Sequence, residues 1–537
     1  MEVIMDCIRS KSIHHFWGLL LALAAILNIM GAASVYAKTE QDALSLAVSK
    51  LPSGVNDPSM GGIKQIFTYL VMYDSVIGVD DEGNLDPDAG LAYKWQASPD
   101  YKTFTVWIRD GVKFHNGDDV TAQDVKFSMD RYVFDKNSKG ADKKAISAML
   151  DRIEVVEPNM VVYHLKKPSV IFWVYLTPFR GSCYVVPKDY TQKVGNEGVL
   201  RNPVGSGPYR FVKAMPASYF EYEAVEKHWR TGTPKFKKLR FERVSEEGTR
   251  VAMLKAGDID AVPITTSRVD EAKGAGFSIF GKKQALGIGV HFMRQWYEGS
   301  PLGDPRVREA LTLAVNSAEI LKYVFKEQGV LTGNYPMGPM SAGYKEMPPI
   351  PFNPERAKQL LSEAKADYPK WTAEGFPIHI HAIMVFPEST DVAQALAGYW
   401  NAVGLKSVVH PMEGARYYPI WKGKKEPEGL PGVALYGYSQ RWSMVIGANQ
   451  NWTTYGRWRH GGNAALDSIV AKLDGAPTMD AWSKAVGDIQ QYVSDNFITL
   501  PIANVDEVWA VDPDVITEWN QGTIQWDMNV EALFRSK

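Results

Sequence analysis

The stretch from Leu435 to His460 combines flat aromatic rings with guanidinium groups, a combination suited to holding a small polar molecule. Its aromatic and basic residues are Tyr436, Tyr438, Arg441, Trp442, Trp452, Tyr455, Arg457, Trp458 and Arg459. Aromatic faces stack on rings and cations, and a guanidinium fork holds a carboxylate through paired hydrogen bonds. Three glycines interrupt regular structure there, and loops on a rigid scaffold commonly carry binding residues. Two other uses stay open: contact with single-stranded nucleic acid and aromatic packing between domains.

Two smaller groups of residues could bind a metal or transfer protons. His379 and His381 alternate along PIHIHAIM, which places both side chains on one strand face about 7 Å apart. A third ligand would be needed for a metal site, and a solvated strand face is the commoner interpretation. Asp258 and Asp260 follow Gly257 as an acidic pair, which indicates a loop leaving a helix. The sequence places no nucleophile or base beside them for acid–base chemistry.

Sequence motifs of the common enzyme classes do not occur in this chain. The sequence lacks a dinucleotide-binding glycine motif, a phosphate loop, His-Glu-x-x-His and Cys-x-x-Cys. Gly205-Ser206-Gly207 is not a nucleophile elbow, because a proline–valine pair precedes it and no helical pattern follows. Ser206 is therefore expected in a turn. We predict a protein that is not an enzyme and carries no cofactor and no metal.

One segment has the alternating polarity of a β-strand. Residues 103–115 (TFTVWIRDGVKFH) alternate in polarity, with Phe104, Val106 and Ile108 on one face. The Asp-Gly pair at 110–111 then predicts a hairpin turn.

Helix patterns alternate with these strands. Thr121 and Asp124 form a predicted capping box, and Asp304-Pro305 and Asn353-Pro354 are predicted helix starts. The helix that begins at Asn353 has an apolar face of Ala357, Leu360, Leu361 and Ala364. A helix over residues 389–403 stops at Gly404, and the strand LKSVVH follows at once. The alternation of helix and strand predicts an α/β fold.

The first 37 residues have the three parts of a secretory leader. Arg9 and Lys11 precede an apolar run over residues 16–31, and Val35-Tyr36-Ala37 offers a cleavage site before Lys38. The run is shorter than the roughly 18 to 20 residues of a membrane span. We predict a cleaved signal peptide over residues 1–37 and a periplasmic product without a lipid anchor.

Charge and cysteine content narrow the class of protein. A formal net charge of −2 argues against a nucleic-acid partner. Cys183 is the one cysteine beyond the leader, so an intramolecular disulfide is excluded. We find no short-period repeat and no low-complexity linker in the chain.

Residues 73–131 (YDSVIGVDDEG to KFSMDR) closely resemble the signature region of the family 5 extracellular solute-binding proteins. PVGSGPYRFV, LKAGDIDAV, DPRVREALTLAVN and NPERAKQLLSEA resemble the later landmarks of that family in the same order. The resemblance implies a type II periplasmic-binding-protein fold, with two hinged lobes and an extra domain inserted in the first. It places lobe I at 38–71, 207–285 and 505–537, the inserted domain at 72–206, and lobe II at 286–504.

The chain departs from the dipeptide binders of that family at both charged positions that hold the ligand. Where those proteins have an arginine after the strand equivalent to HIHAIMV, this sequence reads FPESTD, with Glu388. Where they have an aspartate in a Gly-Trp-x-Gly-Asp stretch, it reads YGYSQRW, with Arg441. A buried charge without its opposite costs several kcal/mol, so an ordinary free dipeptide is not the expected ligand.

The resemblance implies a periplasmic solute-binding protein of an ABC transporter. Such a protein captures a peptide-like or other small polar solute in an interlobe cleft and delivers it to permease subunits in the inner membrane. A monomer without a nucleic-acid partner is expected. The candidate ligand contacts are Tyr436, Tyr438, Arg441, Trp442, Phe386, Glu388 and Glu413. Two alternatives stay open: a sensory binding protein coupled to a receptor, and a periplasmic hydrolase on the same scaffold.

Overall fold

The computed structural model describes residues 42–51, 56–61, 66–180, 182, 184–384, 386–421, 429–439, 447–456, 461–520 and 533. Within these ranges an eleven-stranded mixed sheet lies beside a four-stranded antiparallel sheet and a two-stranded ribbon. Helices alternate with the strands, so the predicted α/β class is confirmed. The predicted signal peptide lies outside the described residues.

The eleven-stranded sheet consists of two half-sheets joined by two long connecting strands. The first half-sheet contains β1 (Ala43–Val48), β8 (Tyr209–Met215), β9 (Tyr219–Ala224), β10 (Lys238–Arg243) and β11 (Ala261–Ile264). The second half-sheet contains β13 (Gly329–Leu331), β14 (Pro377–Ile383), β15 (Lys406–Met412) and β16 (Gly432–Ser439). The connecting strands are β12 (Ser278–Phe292) and β17 (Thr499–Val511). The strand order is β15-β14-β16-β12-β17-β11-β1-β10-β9-β8, with β13 on β17.

The connecting strands change register where the half-sheets meet. Residues 283–285 bulge between the pairs Lys282–Glu507 and Leu286–Val505. Gln284 has a φ of +51°, and its backbone N–H donates to the Asp506 carboxylate at 2.8 Å. A bulge bends a strand and increases its twist, so the sheet changes direction here. We call residues 282–286 and 505–507 the junction.

The four-stranded sheet has the order β4-β5-β7-β6. Its strands are β4 (Ala92–Ala97), β5 (Thr103–Ile108), β6 (Leu150–Glu157) and β7 (Met160–Leu165), and the ribbon pairs β2 (Gly78–Val79) with β3 (Leu85–Asp86). Phe104, Val106 and Ile108 are buried as their alternation predicts. The predicted hairpin at 110–111 is wrong, because β5 pairs with β4 and β7 instead.

Three of the helices in the described ranges begin at the capping residues that the sequence indicates. The helices are α1 (Ile66–Leu70), α2 (Ala122–Phe134), α3 (Lys143–Met149), α4 (Lys188–Arg201), α5 (Glu247–Ala256), α6 (Val269–Gly274), α7 (Pro305–Leu313), α8 (Ser317–Tyr323), α9 (Pro354–Ala364), α10 (Pro369–Ala373), α11 (Ser389–Ala402), α12 (Gly414–Trp421), α13 (Ala448–Asn451), α14 (Ala464–Asp474) and α15 (Met479–Asp495). Thr121 and Asp124 form both bonds of the capping box, and Asp304 and Asn353 cap α7 and α9. Gly404 has a φ of +95°. None of the helices in the described ranges is long and apolar enough to cross a bilayer.

Separate apolar cores support the two half-sheets and the small sheet. The core of the second half-sheet joins β12, β14 and β16 to α7, α9 and α11, and Trp400 is fully buried in it. The core of the first half-sheet surrounds Phe220, Leu239 and Phe241. The core of the four-stranded sheet contains Phe104, Tyr163 and Phe172. Each part of the fold is therefore stabilised by its own buried side chains.

Candidate functional site

The candidate residues follow or end three parallel strands of the second half-sheet. β14 pairs in parallel with both β15 and β16, with Ile383 beside Met412 and Ala382 beside Leu435. The carboxyl ends of these strands therefore lie at one edge of the half-sheet. In open α/β sheets, ligands bind outside the carboxyl ends of the strands. Among the described residues, the fold thus brings the chain segments of Tyr436, Tyr438, Phe386, Glu388 and Glu413 to the edge where binding is expected.

Tyr436 and Tyr438 form an aromatic pair on β16. Their ring centroids are 4.7 Å apart, and both side chains are half-buried. The hydroxyl of Tyr436 lies 3.4 Å from that of Tyr418 on α12. Because both rings keep part of their surface accessible, they can contact a solute with a face and a hydroxyl.

Two buried rings hold this pair in place. Tyr335 lies 5.7 Å from the Tyr438 ring, and its hydroxyl donates to the backbone oxygen of Tyr436 at 3.0 Å. His291 on β12 meets Tyr438 edge-on at 5.8 Å. Burial raises the pKa of Tyr335 well above its ordinary value, and nearby Tyr436 adds to this. Tyr335 therefore stays protonated and holds the backbone of β16 through its hydrogen bond to Tyr436. No sequence pattern around Tyr335 indicates this role.

Phe386 and Glu388 follow β14 and have different environments. Phe386 is 5% exposed and packs in the core of the second half-sheet, 6.5 Å from the ring of Phe325. Its ring is therefore part of the packing beneath the edge. Glu388 is half-buried, and its Oε1 lies 3.5 Å from the Oγ1 of Thr266.

The contact between Glu388 and Thr266 joins the two half-sheets. Thr266 follows β11 of the first half-sheet, whereas Glu388 follows β14 of the second. Burial raises the pKa of Glu388, and the negative charge of Glu247 raises it further, while the Thr266 hydrogen bond opposes the shift. Sequence reasoning missed Thr266, because nothing local to that segment indicates its distant partner.

Glu413 lies at the carboxyl end of β15. Its side chain is exposed, and its backbone oxygen accepts from the N–H groups of Arg416 and Tyr417 at the start of α12. The carboxylate is therefore available at the edge. Arg441 and Trp442, together with the arginines at 457 and 459, lie outside the described residues.

The histidines of β14 lie on one face, as predicted, but that face is not solvated. His381 is fully buried, and burial lowers its pKa to about 3, with nearby His410 contributing. The Nδ1 of His379 lies 2.9 Å from the Nε2 of His410 on β15. Within the described ranges, no group of three or more His, Cys, Asp or Glu side chains is arranged to hold a metal ion.

Asp260, the second residue of the acidic pair after Gly257, and Ser206 make buried hydrogen bonds within the fold. Asp260 is fully buried, and its carboxylate accepts from the backbone N–H and the hydroxyl of Ser45 at 2.8 and 2.9 Å. Ser206 is also buried and donates to Asp74 at 2.9 Å. Both contacts join segments more than a hundred residues apart, which a local pattern cannot reveal.

Comparison with known proteins identifies the family. The family model for bacterial extracellular solute-binding proteins, family 5, matches residues 86–475, and the chain belongs to that family. It is 27% identical over 439 residues to the dipeptide-binding protein of Escherichia coli K12, and the aligned region covers 76% of this chain and 77% of that protein. It is 29% identical over 500 residues to heme-binding protein A of Haemophilus influenzae, and the aligned region covers 88% of this chain and 86% of that protein.

A solved structure supports the predicted fold. The ABC transporter substrate-binding protein CtaP of Listeria monocytogenes matches with a TM-score of 0.76 at 19% identity, over 90% of this chain and 98% of that one. The chain has the type II periplasmic-binding-protein fold, as predicted.

Proposed function

We propose that this protein captures a peptide-like or other small polar solute between the two half-sheets and delivers it to the permease of an ABC importer. The observation that carries the proposal is that the carboxyl ends of β16 and β11, one from each half-sheet, meet at the junction. β16 of the second half-sheet ends at Ser439, which pairs with Leu286 of the junction. β11 of the first half-sheet ends at Ile264, which pairs with Val508 beside the junction. A solute held there contacts both half-sheets at once.

Closure of two lobes on the solute accounts for this arrangement. We assign residues 38–71, 207–285 and 505–537 to lobe I, 286–504 to lobe II, and 72–206 to an inserted domain. The junction then acts as the hinge, since its bulge can absorb a rotation of one half-sheet against the other. The contact between Glu388 and Thr266 spans the two lobes and is expected to form as they approach.

The chemistry of the edge favours a solute with several polar groups. Tyr436 and Tyr438 offer faces and hydroxyls, Glu388 and Glu413 offer carboxylates, and we assign Arg441 and Trp442 to the same site. Phe386 supports the site from beneath. Relatives that bind dipeptides and heme share this family, which supports a small organic ligand.

We further propose that the protein binds its solute without changing it chemically.

We also propose that the leader at 1–37 exports the protein to the periplasm. There it acts as a monomer and passes the solute to permease subunits of the inner membrane. N-terminal mass spectrometry of the periplasmic protein tests the export: a mature chain starting at Lys38 is expected, and an uncleaved chain contradicts it.

Binding by Tyr438 is tested with the solute that copurifies with the protein, identified by native mass spectrometry. In isothermal titration, Tyr438→Ala should weaken its affinity about tenfold, or ~1.4 kcal/mol. Tyr438→Phe, which keeps the ring packing, should weaken it less. Tyr323→Ala is the matched control, since Tyr323 is 63% exposed on α8. Unchanged affinity in a folded Tyr438→Ala protein contradicts the site, and recovery of a chemically altered solute contradicts the function.

A further inference from the structure

A short segment of the part of the chain that we assign to the inserted domain is buried against lobe II. Val170 lies between β7 and the 3₁₀ turn Phe172–Leu176, and it is only 3% exposed. It belongs to an apolar cluster whose other buried members, among the described residues, all come from the range assigned to lobe II. Tyr101 and Ile171 are partly buried and pack against the same cluster. We call Tyr101, Val170 and Ile171 the contact patch.

The inserted domain holds the contact patch from its own side. Tyr101 lies in the turn between β4 and β5 with a φ of +52°, and its ring also packs on the core of the four-stranded sheet. The backbone oxygen of Tyr101 accepts from the N–H of Ser169 at 3.1 Å, which ties this turn to the residue before Val170. Ile171 packs in a second small cluster of the inserted domain as well. The patch therefore belongs to the inserted domain, and its contact with lobe II joins two separate parts of the fold.

An electrostatic interaction crosses the same boundary. Tyr175 in the 3₁₀ turn is buried, and burial raises its pKa to about 12. Arg180 opposes this rise, whereas the negative charges of Asp142 and Asp474 add to it. Asp474 is the last residue of α14 in lobe II. The end of α14 thus lies close enough to act on the charge of a side chain in the inserted domain.

The inserted domain is fixed to lobe I where the chain enters and leaves it. The N–H of Gly207 donates to the backbone oxygen of Met72 at 2.9 Å. A Cβ on Gly205 would overlap that same oxygen, so only glycine permits this close approach of the two segments. Asp74 accepts from the indole N–H of Trp229 in lobe I at 2.9 Å. We therefore expect the inserted domain to move together with lobe I.

The apolar cluster also reaches the candidate solute site. Tyr438, one ring of the aromatic pair on β16, is among the partly buried side chains that pack against the cluster. Trp452, which follows α13, is 1% exposed in it. One cluster thus holds both the contact patch and a side chain of the candidate site, which couples the position of the inserted domain to that site.

We propose that the contact patch is a latch, which closes when lobe II meets the inserted domain and slows the release of the captured solute. This inference rests on the proposed function, because it concerns the closure of the same two lobes. Since the inserted domain moves with lobe I, opening of the lobes draws Val170 out of the lobe II cluster. Its apolar surface then returns to water, which costs free energy and favours the closed state. The latch thus stabilises the solute-bound protein through residues that lie outside the binding edge.

Thiol accessibility tests whether the patch opens with the lobes. Val170→Cys is made in a Cys183→Ser background, because Cys183 is the one cysteine beyond the leader. The new thiol should react with DTNB about tenfold faster in the solute-free protein than in the protein loaded with its copurifying solute. Val156→Cys is the matched control, since Val156 lies on β6 of the same domain and is 52% exposed. Its thiol should react equally fast with and without the solute.

Solute release tests whether the patch slows opening. Val170→Thr keeps the shape of the side chain but adds a hydroxyl that loses its water when the patch closes. Native mass spectrometry, at intervals after rapid dilution, follows the fraction of protein that still carries the copurifying solute. Val170→Thr should release it about tenfold faster than the wild type. Val156→Thr should release it at the wild-type rate.

The outcomes separate the latch from the proposed function. Thermal denaturation verifies that the solute-free variants fold, and if Val170→Thr does not fold, the thiol experiment decides alone. Equal reactivity of the Val170→Cys thiol with and without the solute overturns the latch and leaves the proposed function standing. Release at the wild-type rate by a folded Val170→Thr protein does the same. A wild-type protein that carries no copurifying solute overturns both.

Discussion

Acidification should destabilise this protein through His381, which is buried in the strand that leads to the site. Its ordinary pKa of 6.5 applies in the unfolded chain, whereas burial lowers its pKa to about 3 in the folded protein. The unfolded chain therefore binds a proton over a range in which the folded protein does not. Stability is fully present above pH 6.5 and is lost as the pH falls toward about 3.

The magnitude follows from the two pKa values. Between pH 7 and pH 5, protonation of His381 stabilises the unfolded chain by about 2 kcal/mol and the folded protein by almost nothing. His381→Gln removes this titration, so its free energy of unfolding should fall by about 2 kcal/mol less over the same interval. Other titrating groups, such as His115 with a pKa of about 4, are present in both proteins and cancel in the difference.

Urea unfolding at the two pH values, followed by circular dichroism, measures this difference directly. A single denaturation slope in both proteins is required for the comparison. If wild type and His381→Gln lose the same free energy of unfolding between pH 7 and pH 5, His381 does not stay neutral in the folded protein. The description of its buried environment on β14 would then be wrong.

Two further substitutions test a buried ion pair and a helix cap. Asp57 is fully buried and accepts from the Nη1 of Arg131 at 2.7 Å, so Asp57→Asn should lower the free energy of unfolding by about 3–5 kcal/mol in urea. Asp189→Asn, at a carboxylate that is 92% exposed, is its control, and a loss as small as the control's would refute the buried ion pair. Thr121→Ala removes the side-chain cap of α2 and should cost about 1 kcal/mol in the same assay, with Thr121→Ser nearly neutral. Equal stability of the alanine and serine variants would contradict the cap.

Local elements were predictable because their signals lie within a few residues. The capping box at Thr121 and Asp124, the helix starts at Asp304 and Asn353, and the alternation after Thr103 all occur in the structure as the sequence indicates. Each of these features is decided by contacts over one helical turn or one strand.

Long-range contacts were not predictable, and the site depends on them. β5 pairs with β7, some sixty residues away, and a local Asp-Gly turn does not specify such a distant backbone partner. The contact of Glu388 with Thr266 joins residues 122 positions apart. Phe386 and Glu388 are two residues apart, yet one packs in the core and the other lies at the edge. The bulge at the junction changes the register of β12 on β17, and no pattern in either strand specifies it.

Small-angle X-ray scattering tests lobe closure most directly. The mature chain is measured with its copurifying solute bound and again after that solute has been removed. Closure on one solute per chain should lower the radius of gyration upon binding and restore it when the solute is removed intact. A radius of gyration that stays the same at saturation would contradict the account.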